Sequence, residues 1–188
     1  MSKWNSEEDL TEHLQEIIQE LTVEERFRDV QIKKHYNLLY KVTVRKSNSR
    51  LTYEPESPER ASRGFSAFQT DLCIIDSGIP RVIIEIKLGL TTHDIITYSN
   101  KAGRHKQIYP CLRYGLITTH DYITERFFIH NEYLDFYLTI GKLINVKCEI
   151  KELIKAEIEA SRFIDKAIKP GMRGYTLYKT NVVLKSVN

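Results

Sequence analysis

The chain has no long apolar segment and few cysteines, and both shortages narrow its possible functions. None of its apolar stretches approaches the roughly 20 residues needed to cross a bilayer, and its amino-terminal residues contain no apolar signal region. We therefore expect a cytoplasmic protein that does not contact a membrane. Its three cysteines form no CxxC pair, and Cys73, which lies in an apolar run, is expected to be a reduced core thiol.

The signatures of two common hydrolase classes are also missing. No GxSxG elbow is present, which leaves a Ser-His-Asp hydrolase unsupported. The histidines have neither an HxxH nor a zinc-binding spacing; they are His13, His35, His93, His105, His120 and His130. The sequence contains no internal repeat and no low-complexity tract, so its 188 residues are expected to form a single domain.

Helical and strand-like patterns follow one another along the chain and predict an α/β fold. The hydrophobic content of 41% and the charged content of 28% are ordinary for a soluble globular protein. The predicted elements are a helix over 6–21, strands over 36–46 and 51–54, paired strands over 68–76 and 81–88, a helix over 91–109, a strand over 112–119, one or two strands over 126–140, a helix over 146–168 and a last strand over 175–185.

Positive charge is concentrated in two regions of the sequence. Residues 33–63 contain eight bases and three acids, and residues 95–120 contain four bases and no acid. Such regions suit a polyanionic substrate whose phosphates need neutralising, although a solvated basic face would have the same composition.

Three charged residues lie at the ends of the two paired apolar strands. Asp71 is near the start of the first strand, and Glu85 and Lys87 end the second, where they share a face because they are two residues apart. A five-residue loop over 76–80 would set Asp71 directly opposite Glu85. A four-residue loop would set it opposite Ile86, on the other face. A shared site therefore requires an odd-length loop or a bulge.

Two carboxylates without a neighbouring histidine or cysteine are hard oxygen ligands, typical of sites for Mg²⁺ or its substitute Mn²⁺. Such an ion would bind a scissile phosphate and lower the pKa of a bound water. Lys87 would orient that water, or help to deprotonate it if burial lowered the pKa of the ammonium. The alternative is a salt bridge at the strand ends.

The pattern QTD-x13-EIK, within an α-β-β-β-α-β order of elements, resembles the PD-(D/E)XK nuclease superfamily. The resemblance covers approximately residues 6–119 and implies a restriction-endonuclease-like fold, a mixed central sheet of four strands flanked by helices. A C-terminal helix and strand would be appended over 120–188. It also implies that Asp71 and Glu85 bind the metal and that Lys87 is catalytic. Thr70 departs from the family, in which proline is usual.

Further residues are candidates of lower rank. Family members often bring a glutamate from the first helix, and Glu7 lies near the apolar stripe of that helix, although an acid in a first turn also suits the helix dipole. Candidate DNA contacts, for which ordinary solvated side chains are the alternative, are Lys101, Arg104, Lys106, Gln107 and Arg63.

These expectations together describe a Mg²⁺-dependent DNA endonuclease, most simply a type II restriction enzyme that cuts double-stranded DNA as a homodimer. A structure-selective or repair nuclease of the same fold, such as a junction resolvase, is the alternative enzyme. A non-catalytic DNA-binding module is the alternative from another class. Base recognition is expected from the loop at 55–64, the basic hairpin at 41–50 or the aromatic segment at 127–138.

Overall fold

Helices and strands succeed one another along most of the chain. A computed structural model describes residues 4–171, 176–177 and 183–185. The elements are α1 (Glu7–Gln19), β1 (Val30–Leu39), β2 (Thr43–Ser47), β3 (Arg50–Glu54), β4 (Ala67–Asp76), β5 (Ile79–Lys87), α2 (Thr92–Ile108), β6 (Arg113–Thr118), α3 (Glu125–His130), β7 (Phe136–Thr139) and α4 (Val146–Ala167). Short 3-10 turns occupy Glu20–Val23, Glu25–Phe27 and Pro58–Arg60.

Five of the strands form one mixed sheet in the order β1-β4-β5-β6-β7, and β2 and β3 form a separate two-stranded sheet. β1, β4 and β5 pair antiparallel, whereas β6 is parallel to β5 and β7 is parallel to β6. The parallel pair β5–β6 requires a crossover connection, which α2 provides. This architecture confirms the α/β class with flanking helices, with one more strand in the sheet than the resemblance implies.

The two faces of the sheet are covered by different helices. Leu14 of α1 and Ile154 of α4 are fully buried against one face, which includes Ile84 and Ile86 of β5. Tyr98 of α2 and Phe127 of α3 pack on the other face. There they form a second hydrophobic core together with Cys73 of β4 and Ile83 of β5. Because side chains alternate along a strand, Glu85 and Lys87 lie on the α2 face of β5.

The helix boundaries have local causes. α1 begins after Ser6, whose hydroxyl accepts a hydrogen bond from Asp9 N at 3.0 Å. α2 begins with a capping box between Thr91 and Asp94, and it ends shortly before Pro110, which disfavours helical backbone at the residue before it. None of the helices in the described part of the chain combines the length and the apolarity needed to cross a membrane.

The turn between β4 and β5 is shorter than the five-residue loop considered above, and the expected alternative, a bulge, is present. Ser77 and Gly78 form a two-residue turn with positive φ angles of 51° and 79°, which is the geometry of a type I′ turn. The register then shifts, because Ile74 pairs with Val82 whereas Ile75 pairs with Pro80. This bulge restores the alignment that the five-residue loop would have produced.

Two further strand predictions differ from the structure. The run over 36–46 is divided because Tyr40 leaves the sheet, its ring stacked on Phe68 at 4.0 Å, before β2 begins. Residues 126–140 form the helix α3 and the strand β7, separated by a turn in which Asn131 Oδ1 accepts a hydrogen bond from Leu134 N at 2.8 Å. The strand predicted over 175–185 lies largely outside the described residues.

Candidate active site

Asp71 is held at the point where the ladder between β4 and β5 ends. The last pair of that ladder is Leu72 with Ile84, and one further step in the same register sets Asp71 opposite Glu85. Asp71 Oδ2 accepts a hydrogen bond from the backbone N–H of Ile86 at 2.7 Å, so the carboxylate takes a position on β5 that a backbone carbonyl would otherwise occupy. The neighbouring Thr70, at the position where the resembled family has proline, is fully buried.

Glu85 is a buried carboxylate beside Asp71. Its residue is 2% exposed, the Tyr114 hydroxyl donates a hydrogen bond to Oε1, and Lys101 Nζ lies 3.7 Å from the same oxygen. Burial raises the pKa of Glu85 to about 7; Lys101 and Tyr114 oppose this rise, and Asp71 adds to it. The two carboxylates thus form a pair in which the second negative charge is disfavoured until a cation compensates it.

Lys87 lies at the end of β5 and is paired with an acid from α1. Its Nζ is 2.7 Å from Oε2 of Glu7. Burial by itself would lower the pKa of Lys87, but the hydrogen bond and charge of Glu7, together with Asp71 and Asp94, raise it above its usual value. The raised pKa keeps Lys87 as an ammonium ion, which fits a role in orienting the attacking water. A role in deprotonating that water would need a lowered pKa instead.

Glu7, the candidate third ligand, reaches the site from the first residue of α1 and binds Lys87. Among the described residues, no group of three His, Cys, Asp or Glu side chains is arranged to hold a metal ion. Asp71 and Glu85 are the two neighbouring carboxylates of this site, and Glu7 contacts Lys87 beside them. Two carboxylates are a sufficient protein contribution for Mg²⁺, which is usually held by one or two carboxylates together with waters and substrate phosphates.

Lys101, considered above as a DNA contact, belongs to the carboxylate pair itself. Besides its ion pair with Glu85, its Nζ lies 5.0 Å from the centre of the Tyr98 ring and 5.8 Å from that of Phe68. Both distances are within the range of cation–π attraction. α2 therefore supplies a charge-compensating ammonium that is fixed beside Glu85 by two aromatic rings.

The other candidate DNA contacts have different environments. Arg104, one turn beyond Lys101 on α2, is exposed and stacks over the ring of Tyr40 at 5.7 Å. Lys106 has an internal role, because its Nζ is 2.7 Å from both Tyr133 O and a carboxylate oxygen of Asp135.

The two remaining candidates, Gln107 and Arg63, are exposed and do not contact the carboxylate pair in the described contacts. Gln107 is exposed near the end of α2. Arg63 is exposed in the loop before β4 and donates a hydrogen bond from Nη1 to Gln69 Oε1 at 3.2 Å. Both side chains are accessible to a large ligand.

The sequence did not predict the buried positions of two aromatic side chains, those of Tyr114 and His105. Tyr114 is fully buried on β6, and its position on the Glu85 face depends on the parallel register that pairs it with Ile83. His105 is also fully buried; its Nδ1 lies 2.9 Å from Leu39 O, and burial lowers its pKa to about 4, so the ring is neutral. Neither position could be located before the sheet order and the rotation of α2 were known.

Comparison with known proteins bears on the fold. No protein-family model and no curated protein sequence matches the chain. The chain is similar to the crystal structure of protein VC1899 from Vibrio cholerae, with 12% identity and a TM-score of 0.50 over 82% of this chain and 34% of that one. The described chain thus spans about a third of that protein's length. At this identity, the likeness supports the α/β fold alone.

Proposed function

We propose that this protein is a metal-dependent nuclease that hydrolyses phosphodiester bonds in DNA, with a restriction-endonuclease-like site of the PD-(D/E)XK type. The observation that carries the proposal is the meeting of Asp71, Glu85 and Lys87 on one face at the end of two adjacent strands. An ion pair that only stabilised the strand ends would not need two neighbouring carboxylates, one of them buried.

The chemistry of the two carboxylates fits Mg²⁺, with Mn²⁺ as a substitute. Asp71 and Glu85 would hold the ion, and its positive charge would favour the ionised form of Glu85, whose pKa burial raises to about 7. When bound, such an ion polarises a phosphate and lowers the pKa of a water.

The remaining side chains have roles that follow from their contacts. Tyr114 fixes the orientation of the Glu85 carboxylate through its hydroxyl. Lys87, kept charged by Glu7, would hold the attacking water or a phosphate oxygen by a charge-assisted hydrogen bond. Lys101 balances part of the negative charge of the carboxylate pair.

The biological role proposed for this activity is type II restriction of double-stranded DNA. Cleavage of both strands by a protein with one active site would require a homodimer. Discrete bands from linear duplex DNA would support restriction, whereas cutting confined to branched DNA would identify a structure-selective or repair nuclease instead.

The proposal is tested by incubating the purified protein with supercoiled plasmid in Mg²⁺, in Mn²⁺ and in a chelator. Cleavage is expected with either metal and not with the chelator. Asp71→Asn, Glu85→Gln and Lys87→Ala should each abolish it, whereas Lys147→Ala, on α4 and the opposite face of the sheet, should retain it. A Lys87→Ala protein as active as the wild type would falsify the mechanism, and an inactive wild type would favour a non-catalytic DNA-binding module.

A further inference from the structure

The β2–β3 hairpin is a separate two-stranded sheet with side chains that are open to solvent on both faces. Val44, Leu51 and Tyr53 are each more than half exposed, and the strand register sets Val44 opposite Tyr53 and Lys46 opposite Leu51 on one face. A two-stranded hairpin has marginal stability in water when no further layer covers it. Exposed apolar side chains on such an element indicate a surface that meets a partner.

The charge of the hairpin indicates the chemistry of that partner. Four bases and one acid lie within residues 41–54; the bases are Lys41, Arg45, Lys46 and Arg50, and the acid is Glu54. The turn residues Asn48 and Ser49 have φ angles of 48° and 64°, which keep the two strands tightly paired and twisted up to the tip. A narrow, basic and twisted ribbon complements a polyanion with a groove, and the major groove of B-DNA admits a two-stranded β-ribbon.

A continuous row of cations and aromatic rings connects the root of the hairpin to the carboxylate pair. Arg104 lies over Tyr40, the Tyr40 ring stacks on Phe68, and Lys101 lies over Phe68 and pairs with Glu85. Arg104 and Lys101 are three residues apart on α2, so they lie on the same side of the helix. A phosphate backbone that follows this row would lead from the hairpin to the proposed site.

The lengths of the strands set an upper limit on the length of this surface. β4 begins at Ala67, four residues before Asp71, which is about 13 Å along a strand at about 3.3 Å per residue. The five-residue strands of the hairpin add at most about 17 Å. Placed end to end, the row and the hairpin would span at most about 30 Å, which is less than the roughly 34 Å of one turn of B-DNA.

We propose that the β2–β3 hairpin is an arm that enters the major groove of duplex DNA and, with Lys101 and Arg104, positions a backbone phosphate at the Asp71–Glu85 pair. This inference rests on the proposed nuclease function and names its substrate as duplex DNA and its recognition element as the hairpin. A second copy of the chain is a poorer occupant, because two hairpins with this excess of positive charge would repel each other.

The test measures DNA binding under conditions in which cleavage does not occur. Binding of a fluorescent 30-base-pair duplex is measured by anisotropy in a chelator, at several salt concentrations, for the wild type and for an arm variant, Arg45→Ala/Lys46→Ala/Arg50→Ala. Each lost phosphate contact weakens binding about 8-fold at 0.1 M salt, so two or three contacts predict a loss of about 60- to 500-fold. The slope of log K against log salt should become shallower by about 2 to 3.

A matched variant, Lys147→Ala/Lys166→Ala/Lys169→Ala, removes the same charge from α4 and its end, on the other side of the sheet, and should bind DNA nearly as the wild type does. A conservative arm variant, Arg45→Lys/Arg50→Lys, should restore most of the non-specific affinity, which a merely structural role of the arginines does not predict. Equal thermal unfolding midpoints of the variants establish that the fold is intact.

The outcomes separate this inference from the proposed function. Equal weakening in the arm and α4 variants, or tighter binding of single-stranded than of duplex DNA, would overturn the arm. Loss of a dimer on Val44→Ser/Leu51→Ser, with DNA binding unchanged, would also overturn it by identifying a second copy as the occupant. If the wild type cuts no DNA in Mg²⁺ but the arm variant alone loses binding, the arm is supported and the nuclease proposal fails.

Discussion

Replacing Glu85 by glutamine should stabilise the protein at neutral and alkaline pH. Burial and the neighbouring Asp71 raise the pKa of Glu85 to about 7 from an ordinary value of 4.5. The folded state therefore favours the protonated acid, and the free energy of unfolding falls as pH rises from about 4.5 to about 7. At about 1.4 kcal/mol per pH unit, the full loss is about 3 kcal/mol. Glutamine carries no charge, so the variant should not lose this stability as pH rises.

The measurement is urea unfolding of the wild type and Glu85→Gln at pH 5 and at pH 8, without divalent metal. The two proteins should differ little at pH 5, and the variant should be more stable by about 3 kcal/mol at pH 8. Glu152→Gln, in which the replaced side chain is 66% exposed on α4, should follow the wild type at both pH values. A stability difference that is the same at pH 5 and pH 8 would refute the reasoning, because it would mean that Glu85 does not titrate between them in the folded state.

The wild type and Glu85→Gln also test whether Mg²⁺ binds at the carboxylate pair. Saturating Mg²⁺ at pH 8 should stabilise the wild type, by about 2.7 kcal/mol when its concentration is 100 times the dissociation constant. The gain should be much smaller in Glu85→Gln, which lacks one of the two proposed ligands. Equal stabilisation of both proteins would place the cation elsewhere.

Three other predictions concern the surroundings of the site and the sheet. Tyr114→Phe removes a hydrogen bond that lowers the pKa of Glu85, so the acidic limb of the cleavage rate profile should move to higher pH. Asp76→Asn should cost about 3 kcal/mol in urea unfolding at pH 7, because Arg81 and Arg162 lose a buried partner at 3.5 Å and 2.8 Å. The loss should shrink as pH falls through the lowered pKa of Asp76. Gly115→Ala should cost about 1–3 kcal/mol by calorimetry, since an added Cβ would lie 2.3 Å from the Phe136 ring.

The meeting of Asp71 and Glu85 was predictable from sequence because it depends on a local rule. Two neighbouring antiparallel strands joined by a short turn have few possible registers, and only those with an odd-length loop or a bulge set the two acids on the same face. Of the two arrangements that would align the acids, an odd-length loop or a bulge, the structure has the bulge, and both produce the same alignment beyond Ile74. The pattern of charges thus constrains the register better than it constrains the loop.

The surroundings of the pair were less predictable because they depend on elements that are distant in sequence. Tyr114 reaches Glu85 through the parallel pairing of β5 with β6, which no local pattern specifies. Lys101 was selected only as one of several bases on a helix, and the rotation of α2 over the sheet decides that it contacts Glu85 while Lys106 binds Asp135.

Lys87 shows the limit of local reasoning about chemistry. Its position on the Glu85 face follows from the two-residue period of β5, but its protonation does not. A half-buried lysine beside carboxylates can have a lowered or a raised pKa according to whether burial or a charged partner dominates. Here Glu7, 80 residues away at the start of α1, decides the matter by binding Nζ at 2.7 Å. The charged state of a residue therefore depends on tertiary contacts, even where the strand pattern alone predicts its location.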